Sequence, residues 1–230
     1  MRKRNAGIFD VSYLIPDTIA MYFRTEGVIL SRRNFGEADR ILTIYSRDFG
    51  KITCIAKGVR RPKSRKGGHV EIGNWCKVFI ARGKNLDLLT EVELKKGFGI
   101  VDFSESKANK IYHLLELVNA LTVEKQKNRE IFILMVQFLK KISTEEDFNL
   151  LLSSFKIKLL SLLGFFSADS LPETKTKKIL SYFEKEPYEV IKEKINLNKN
   201  SYLKLSSYLD TMIEKLTETQ LKTAKFLKNF

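Results

Sequence analysis

The sequence contains little of the side-chain chemistry that metalloproteins and hydrolytic enzymes need. Its 230 residues include two cysteines and two histidines. Cys54 and Cys76 cannot complete a structural zinc site, which takes four ligands, and we interpret them as buried thiols rather than a disulfide. His69 and His113 have no cysteine, aspartate or second histidine at ligand spacing, and no Ser–His–Asp set can be assembled around them. We therefore expect no metal, no cofactor and no catalytic residue.

Long apolar runs are also missing. No stretch reaches the length of a membrane-spanning helix. The first four residues resemble the charged start of a signal peptide, but Asp10, Pro16 and Asp17 interrupt the segment that follows. The sequence thus predicts a cytoplasmic protein without a membrane partner.

Acidic residues are too few to balance the basic ones. There are 41 lysines and arginines against 27 aspartates and glutamates, a formal net charge of +14. Because 43% of the residues are hydrophobic, the chain can form a packed core, and the charge belongs to a folded surface. Residues 24–98 hold 17 basic and eight acidic side chains, whereas residues 99–230 hold 21 and 17. By itself, this charge allows either of two polyanions as the partner, nucleic acid or an anionic membrane face.

The first hundred residues have the pattern of a small β-domain. Short runs of β-branched and aromatic residues alternate with turn residues. They predict strands over 27–33, 40–46, 51–59, 70–82 and 86–95, with a bulge at Gly73. Five short strands favour a closed barrel of the OB-fold type, because closure removes exposed sheet edges. We assign residues 21–98 to this domain and residues 1–20 to a flexible extension, with Met21 as an alternative start.

The remaining residues, 99–230, predict an all-α domain of about seven helices. Apolar residues recur at helical spacing over 111–121 and 131–142. Thr144 forms a predicted capping box with Asp147, which starts a helix that runs to Leu163 and ends at Gly164. Pro172 suits the first turn of a helix that ends before Pro187. Two more helices are predicted over 201–216 and 220–229. The predicted fold class is α+β multidomain, a five-stranded OB-fold barrel followed by a helical domain.

The strongest local signal is the basic run from Lys51 to Lys66, which contains seven basic residues and no acidic one. Gly58, Pro62 and Gly67 make its second part a loop. Basic side chains on a loop can follow a phosphate backbone without reading bases. A nucleotide-hydrolase phosphate loop is excluded because Pro62 stands where the motif needs a glycine amide. The alternative interpretation is a solvated charged loop without a ligand.

Candidate binding residues come from this run and from the strands before it. The candidate DNA-binding side chains are Arg32, Arg33, Arg40, Lys51, Lys57, Arg60, Arg61, Lys63, Arg65 and Lys66. Phe35 and Phe49 lie in predicted turns and are candidates for base stacking. The other aromatic residues are assigned mainly to the barrel core.

The order of several short motifs resembles the RecO family. Glu26–Leu30 is followed by Gly36–Arg40, then by Gly50-Lys51, Lys57–Arg61 and Lys63-Ser64, as in the N-terminal barrel of that family. The resemblance continues in 155–165, a helix rich in leucine that ends in glycine, and in 221–227. It covers approximately residues 22–230.

The resemblance implies a recombination mediator in DNA repair rather than an enzyme. Such a protein binds single- and double-stranded DNA at the nucleoid and anneals complementary strands. With a RecR-type partner it helps to load a recombinase onto strands coated by single-stranded-DNA-binding protein. Many family members carry a four-cysteine zinc site after the helix that ends in glycine. Residues 165–174 contain no cysteine, so we expect the zinc module to be lacking.

Two other functions remain open. The chain is alternatively an OB-fold protein that binds RNA or tRNA. It is alternatively an interaction adaptor, with the helical domain as the working surface and incidental DNA binding. Competition between DNA and RNA, and capture by an acidic, aromatic-ended peptide tail, separate these hypotheses from the first.

Overall fold

The computed structural model describes residues 21–98, 105–142 and 144–223. The prediction for residues 1–20 lies outside these ranges. The predicted helix over 220–229 also falls largely outside them, and residues 220–223 are not helical.

Five strands form a closed barrel, as predicted. They are β1 (Tyr22–Phe35), β2 (Asp39–Ser46), β3 (Gly50–Ala56), β4 (Asn74–Ala81) and β5 (Asp87–Gly97). Around the barrel the order is β1-β2-β3-β5-β4, and β3 and β5 are the parallel pair. The first half of β1 pairs with β4 and its second half with β2, so this one strand runs from one end of the barrel to the other.

Alternating side chains of the strands fill the barrel interior. Ile29 and Ile44 face each other there, and Leu42 and Ile52 lie beside them, all buried. Cys54 and Cys76 are free and buried in the same core, as predicted, and burial raises the pKa of each thiol to about 12.

The predicted start of the fourth strand at Val70 is wrong. Residues 57–73 form a connection from β3 to β4, with one short 3-10 turn at Gly67–His69. Val70 is buried together with Val59 against the end of the barrel. The apolar alternation at Val70 and Ile72 therefore marks a segment that closes the barrel, not a paired strand.

In the described residues there are six α-helices. They are α1 (Glu105–Leu121), α2 (Arg129–Ile142), α3 (Phe148–Leu162), α4 (Lys175–Lys185), α5 (Tyr188–Lys194) and α6 (Lys199–Thr217). Helix α3 contacts all five others, and most of its side chains are buried. An α-domain with one central helix follows the barrel, and the predicted fold class is confirmed. None of the helices in the described ranges is long and apolar enough to cross a membrane.

The ends of α3 correct one prediction and confirm another. The capping box at Thr144 is wrong, because Asp147 is itself the capping residue and accepts a hydrogen bond from the Leu150 N–H at 2.9 Å. Gly164 ends the helix as predicted, with φ of 78°. The N–H groups of Gly164 and Phe165 donate to the carbonyls of Ser161 and Leu160, both at 2.9 Å.

The next helices differ in detail from the prediction. Pro172 precedes α4 instead of lying in its first turn, and Thr174 caps that helix through the Lys177 N–H at 3.2 Å. The helix ends before Pro187, as predicted. The short helix α5 after that proline was not predicted, because seven residues hold too few turns for a clear apolar repeat.

The barrel and the helices share one hydrophobic core. Val28, Leu30 and Tyr45 on the outside of the barrel are buried in the same cluster as the side chains of α1 and α2. The indole of Trp75 packs edge-on against Phe132 of α2, with ring centroids 6.4 Å apart. The two parts are thus held together by apolar burial.

Candidate nucleic-acid interface

The basic loop, which we define as residues 57–70 of the connection from β3 to β4, lies across one end of the barrel. Its backbone is held because Val59 and Val70 are buried at its two ends. Gly67 approaches the chain closely: a Cβ there would lie 2.8 Å from the Val59 carbonyl oxygen. The loop is therefore a fixed cover on the barrel, and most of its charged side chains are exposed.

Five cations of this loop are exposed. None of them forms an ion pair with a carboxylate in the part of the chain that the structure describes. The five are Lys57, Arg60, Arg61, Lys63 and Arg65. Charges placed in this way remain available to an external polyanion.

The turn between β1 and β2 lies beside the loop. The Arg60 N–H donates to the Ala38 carbonyl at 2.9 Å, and its guanidinium donates to the Gly36 carbonyl at 3.2 Å. The Gly58 N–H donates to Asp39 Oδ1 at 2.7 Å. The end of β1 that leads into this turn carries Arg33 and Phe35, both exposed. We define the basic surface as these two residues together with the five exposed loop cations.

Lys66 contributes to holding the loop. Its ammonium donates to the Leu89 carbonyl of β5 at 3.4 Å. Nearby, Asn74 donates from its side-chain amide to the carbonyls of Gly68 and His69, at 3.2 and 3.0 Å. These bonds connect the second part of the loop to β4 and β5.

Arg32 and Arg40 meet at one carboxylate below the loop. Both guanidinium groups donate to Glu71 Oε1, at 2.5 and 3.1 Å. The Nε of Arg40 is buried and has no hydrogen-bond partner among the described residues. The two arginines thus hold the connection from β3 to β4 in place, and we leave them out of the basic surface.

Lys51 lies in the junction between the barrel and the helices. Its ammonium donates to the carbonyl of Asn119 at 2.7 Å and also to that of Thr122. Burial lowers the pKa of Lys51, and the charge of Glu124 opposes this shift. Although its sequence position suggests a phosphate contact, its charge is used inside the protein, and we leave it out of the basic surface.

The two candidate stacking rings have different environments. Phe35 is 51% exposed at the end of β1. Phe49 is half-buried and packs against the barrel core, with its ring centroid 4.4 Å from that of Phe23. Of the two, only Phe35 presents a ring to solvent.

The segment between α1 and α2 covers the outer face of β2 and β3. In OB-folds this face, with the loops beside it, commonly binds the ligand. Here the Tyr45 hydroxyl donates to the Asn128 carbonyl at 3.2 Å, and Thr53 Oγ1 donates to Glu124 Oε1 at 2.5 Å. No local sequence signal marks this cover, because it depends on contacts between residues more than 70 positions apart.

The region after α3 does not fit a zinc ion. Residues 165–174 hold no cysteine, and the described residues contain no group of three or more His, Cys, Asp or Glu side chains placed to hold a metal. Glu184 of α4 instead accepts hydrogen bonds from Ser161 Oγ at 2.8 Å and from the Ala168 N–H at 2.9 Å. One carboxylate thus fastens this segment to two helices.

Comparison with known proteins identifies the family. The family model described as "Recombination protein O N terminal" matches residues 21–98, and the one described as "Recombination protein O C terminal" matches residues 111–167. The chain belongs to the RecO family. The two matches include the barrel and the helices from most of α1 through α3, so membership rests on both parts of the fold.

Curated relatives of the RecO family align with most of the chain. The protein named DNA repair protein RecO from Caldanaerobacter subterraneus subsp. tengcongensis is 30% identical over 205 residues, which is 85% of this chain and 83% of that protein. The one from Desulforamulus reducens is 26% identical over 89% of this chain and 93% of its own length. The one from Pelotomaculum thermopropionicum is 33% identical, but that alignment spans 62% of this chain and 56% of that protein. The predicted family is thereby confirmed.

Proposed function

We propose that this chain is a recombination mediator that binds single- and double-stranded DNA through the basic surface. The observation that carries the proposal is the set of five exposed loop cations that have no carboxylate partner among the described residues. The mediator anneals complementary strands. With a RecR-type partner, it helps to load a recombinase onto strands coated by single-stranded-DNA-binding protein.

The chemistry of the proposed contact is phosphate binding. Lysine and arginine side chains on a loop neutralise phosphates and release counterions, so they bind many sequences with similar affinity. Both single strands and duplexes present phosphates, and one surface therefore serves both. No bond is made or broken in this process, and we propose no catalysis and no nucleotide cofactor.

Annealing of strands precoated with single-stranded-DNA-binding protein tests the mediator function. We expect the protein to accelerate annealing without ATP, and the variant Arg60→Gln/Arg61→Gln/Lys63→Gln to lose most of that acceleration. If DNA binding is intact but annealing of coated strands is not accelerated, the mediator function is wrong. Displacement of bound DNA by RNA of equal length at lower concentration would favour the RNA-binding alternative.

An exposed face of α6 supports the adaptor function as a second candidate. This face includes the apolar side chains of Leu203, Tyr208 and Met212 beside Lys204 and Lys215. Leu203 is 61% exposed. An acidic peptide with an aromatic end, as in the tail of single-stranded-DNA-binding protein, matches these features in charge and polarity.

Fluorescence anisotropy with a labelled tail peptide tests the adaptor function. We expect Lys204→Glu/Lys215→Glu to lose binding of the peptide while DNA binding is retained. The same peptide without its terminal aromatic residue is the control. Peptide binding without any DNA binding would make the adaptor the main function, and equal binding by wild type and variant would exclude this face of α6.

A further inference from the structure

A second group of exposed side chains lies at the other end of β1. The rings of Tyr22 and Phe79 are stacked, with centroids 5.5 Å apart and planes at 25°. The guanidinium carbon of Arg24 lies 4.7 Å from the Phe79 centroid. Arg24 pairs directly with Phe79 across β1 and β4, and Tyr22 is on the same outer face two residues earlier. Two strands thus bring two rings and one cation together.

This group is open to solvent on the side away from the barrel. Tyr22 is 50% exposed, Arg24 is exposed and Phe79 is half-buried. Arg24 forms no ion pair within the described ranges. The Tyr22 ring therefore stacks on Phe79 and keeps half of its surface free for a further planar group.

The loop between β4 and β5 begins beside the start of β1. The Arg82 N–H donates to the Met21 carbonyl at 2.8 Å, which places the start of this loop next to the start of β1. Arg82 and Lys84 are both exposed. However, the guanidinium carbon of Arg82 lies 5.0 Å from the ring centroid of Phe23, whose side chain is on the other face of β1 from Tyr22. The β4–β5 loop is one of the loops that border the ligand face of OB-folds, and here the face between the loops is covered by the α1–α2 segment.

We propose that Tyr22, Phe79 and Arg24 form a base-stacking site for single-stranded nucleic acid, separate from the basic surface. The proposal rests on the proposed function, in that the chain binds nucleic acid. Stacked aromatic rings with a nearby arginine hold unpaired bases without sequence preference, because every base has a π-face. Glu91 pairs with Phe79 on the β5 side, so the phosphates are expected on the side of Arg24.

The base-stacking site and the basic surface lie at opposite ends of β1, so single strands and duplexes should use them differently. Tyr22 and Phe35 are the first and last residues of β1, and the backbone between them measures about 40 Å along the strand. A duplex keeps its bases stacked inside and uses only the basic surface. A single strand can use both surfaces, and the base-stacking site therefore distinguishes single strands from duplexes.

The test compares oligothymidine, an abasic strand of the same length and a duplex, with the full chain at fixed salt. Wild type should bind oligothymidine at least about fivefold more tightly than the abasic strand. Tyr22→Leu should abolish that preference and leave binding of the abasic strand and the duplex unchanged. Tyr22→Phe should keep the preference, and Tyr182→Leu, at a 40% exposed tyrosine of α4, is the matched control.

The outcomes separate this site from the proposed function. If Tyr22→Leu keeps the full preference for oligothymidine over the abasic strand, the base-stacking site is overturned. The proposed function still holds in that case if Arg60→Gln/Arg61→Gln/Lys63→Gln weakens binding of all three nucleic acids. Unchanged binding of all three by that triple variant overturns the basic surface instead. If Tyr22→Leu lowers folding stability, Arg24→Gln is used in its place. Weaker binding of single strands by Arg24→Gln, with unchanged binding of the duplex, supports the base-stacking site. An equal loss of affinity for single strands and for the duplex overturns it.

Discussion

The ammonium of Lys51 donates a hydrogen bond to the carbonyl oxygen of Asn119 at 2.7 Å, and this contact joins β3 to the last turn of α1. The carbonyl of Thr122 is a second acceptor, and the Lys125 N–H donates back to the Lys51 carbonyl at 2.8 Å. The same lysine begins the basic run in the sequence. Its role in the structure is therefore to hold the two parts of the protein together.

Replacement of Lys51 should separate stability from DNA binding. We expect Lys51→Met to lower the free energy of unfolding by about 1–3 kcal/mol, because two carbonyls lose a charged donor in the junction. The dependence of DNA affinity on salt should stay as in wild type. Urea unfolding and a salt titration of DNA binding measure the two effects.

Lys57→Met is the matched control for Lys51→Met. Lys57 is exposed and outside the junction, so we expect stability to change by less than about 0.5 kcal/mol. The salt dependence of DNA binding should become shallower instead. If Lys51→Met flattens the salt dependence and Lys57→Met does not, the assignment of the two lysines is reversed.

Removal of three loop charges should reduce the salt dependence of DNA affinity in proportion to the number of phosphate contacts that are lost. For Arg60→Gln/Arg61→Gln/Lys63→Gln we expect the slope of log affinity against log salt to fall in magnitude by about 2–3 for duplex DNA, since each phosphate contact contributes about 0.9. The loss should be similar for different sequences. Lys175→Gln/Lys178→Gln/Lys199→Gln, at exposed lysines of the helical domain, should leave the slope unchanged, and a slope changed equally by both variants would place the contact elsewhere.

Glu71 should matter more for folding than other glutamates near the loop. Two guanidinium groups share its Oε1, and Glu71→Gln leaves the partly buried Arg32 and Arg40 side by side without a charge between them. We expect a loss of about 1 kcal/mol in unfolding free energy, because these groups are only partly exposed. Glu37→Gln, on the exposed turn between β1 and β2, is the control and should have almost no effect. Equal urea midpoints for the two variants would contradict the role of Glu71.

His113 should make the protein less stable in mild acid. Its side chain is almost fully buried, and its Nδ1 lies 2.7 Å from the Thr223 hydroxyl oxygen. That hydroxyl donates to Glu116, so Nδ1 carries the proton and donates to Thr223. Burial, helped by the charge of Lys156, lowers the pKa of His113 to about 3 from its usual 6.5.

The sign of the pH effect follows from this depressed pKa. Below pH 6.5 the unfolded chain binds a proton at His113 that the folded chain does not bind until about pH 3. Stability is therefore fully present above pH 6.5 and falls as the pH is lowered, by about 2 kcal/mol between pH 7.5 and 5. His113→Gln, which does not titrate, should show a shallower pH dependence in chemical unfolding. Parallel pH curves for wild type and variant would rule out this role.

The strands and most of the helices could be predicted from local patterns. The barrel strands alternate between a buried face and an outer face, and this period is visible in the sequence. Gly164 shows the end of α3 because its backbone has positive φ. Two predictions of secondary structure failed for different reasons. Val70 was assigned to a strand, but it is apolar because it closes the barrel. Helix α5 was not predicted because it is too short for its apolar repeat to be recognised.

The candidate site could be predicted only in part. The five cations from Lys57 to Arg65 are exposed, as a Gly- and Pro-containing loop implies. Lys51, Arg32, Arg40 and Phe49 are of the expected residue types, but their partners come from distant parts of the chain. Tyr22 and Phe79 are 57 positions apart in the sequence, and the register of β1 with β4 brings them together.

The sequence by itself determined the fold class, the concentration of charge in the first domain and the position of the basic loop, because periodicity, glycine and proline act over a few residues. The tertiary structure alone decided which cations are available to a ligand. Lys51 and Lys57 are six positions apart, yet one donates to a carbonyl of α1 and the other is in solvent. Charge is a property of the residue, whereas its availability depends on which distant groups the closed barrel and the packed helices place around it.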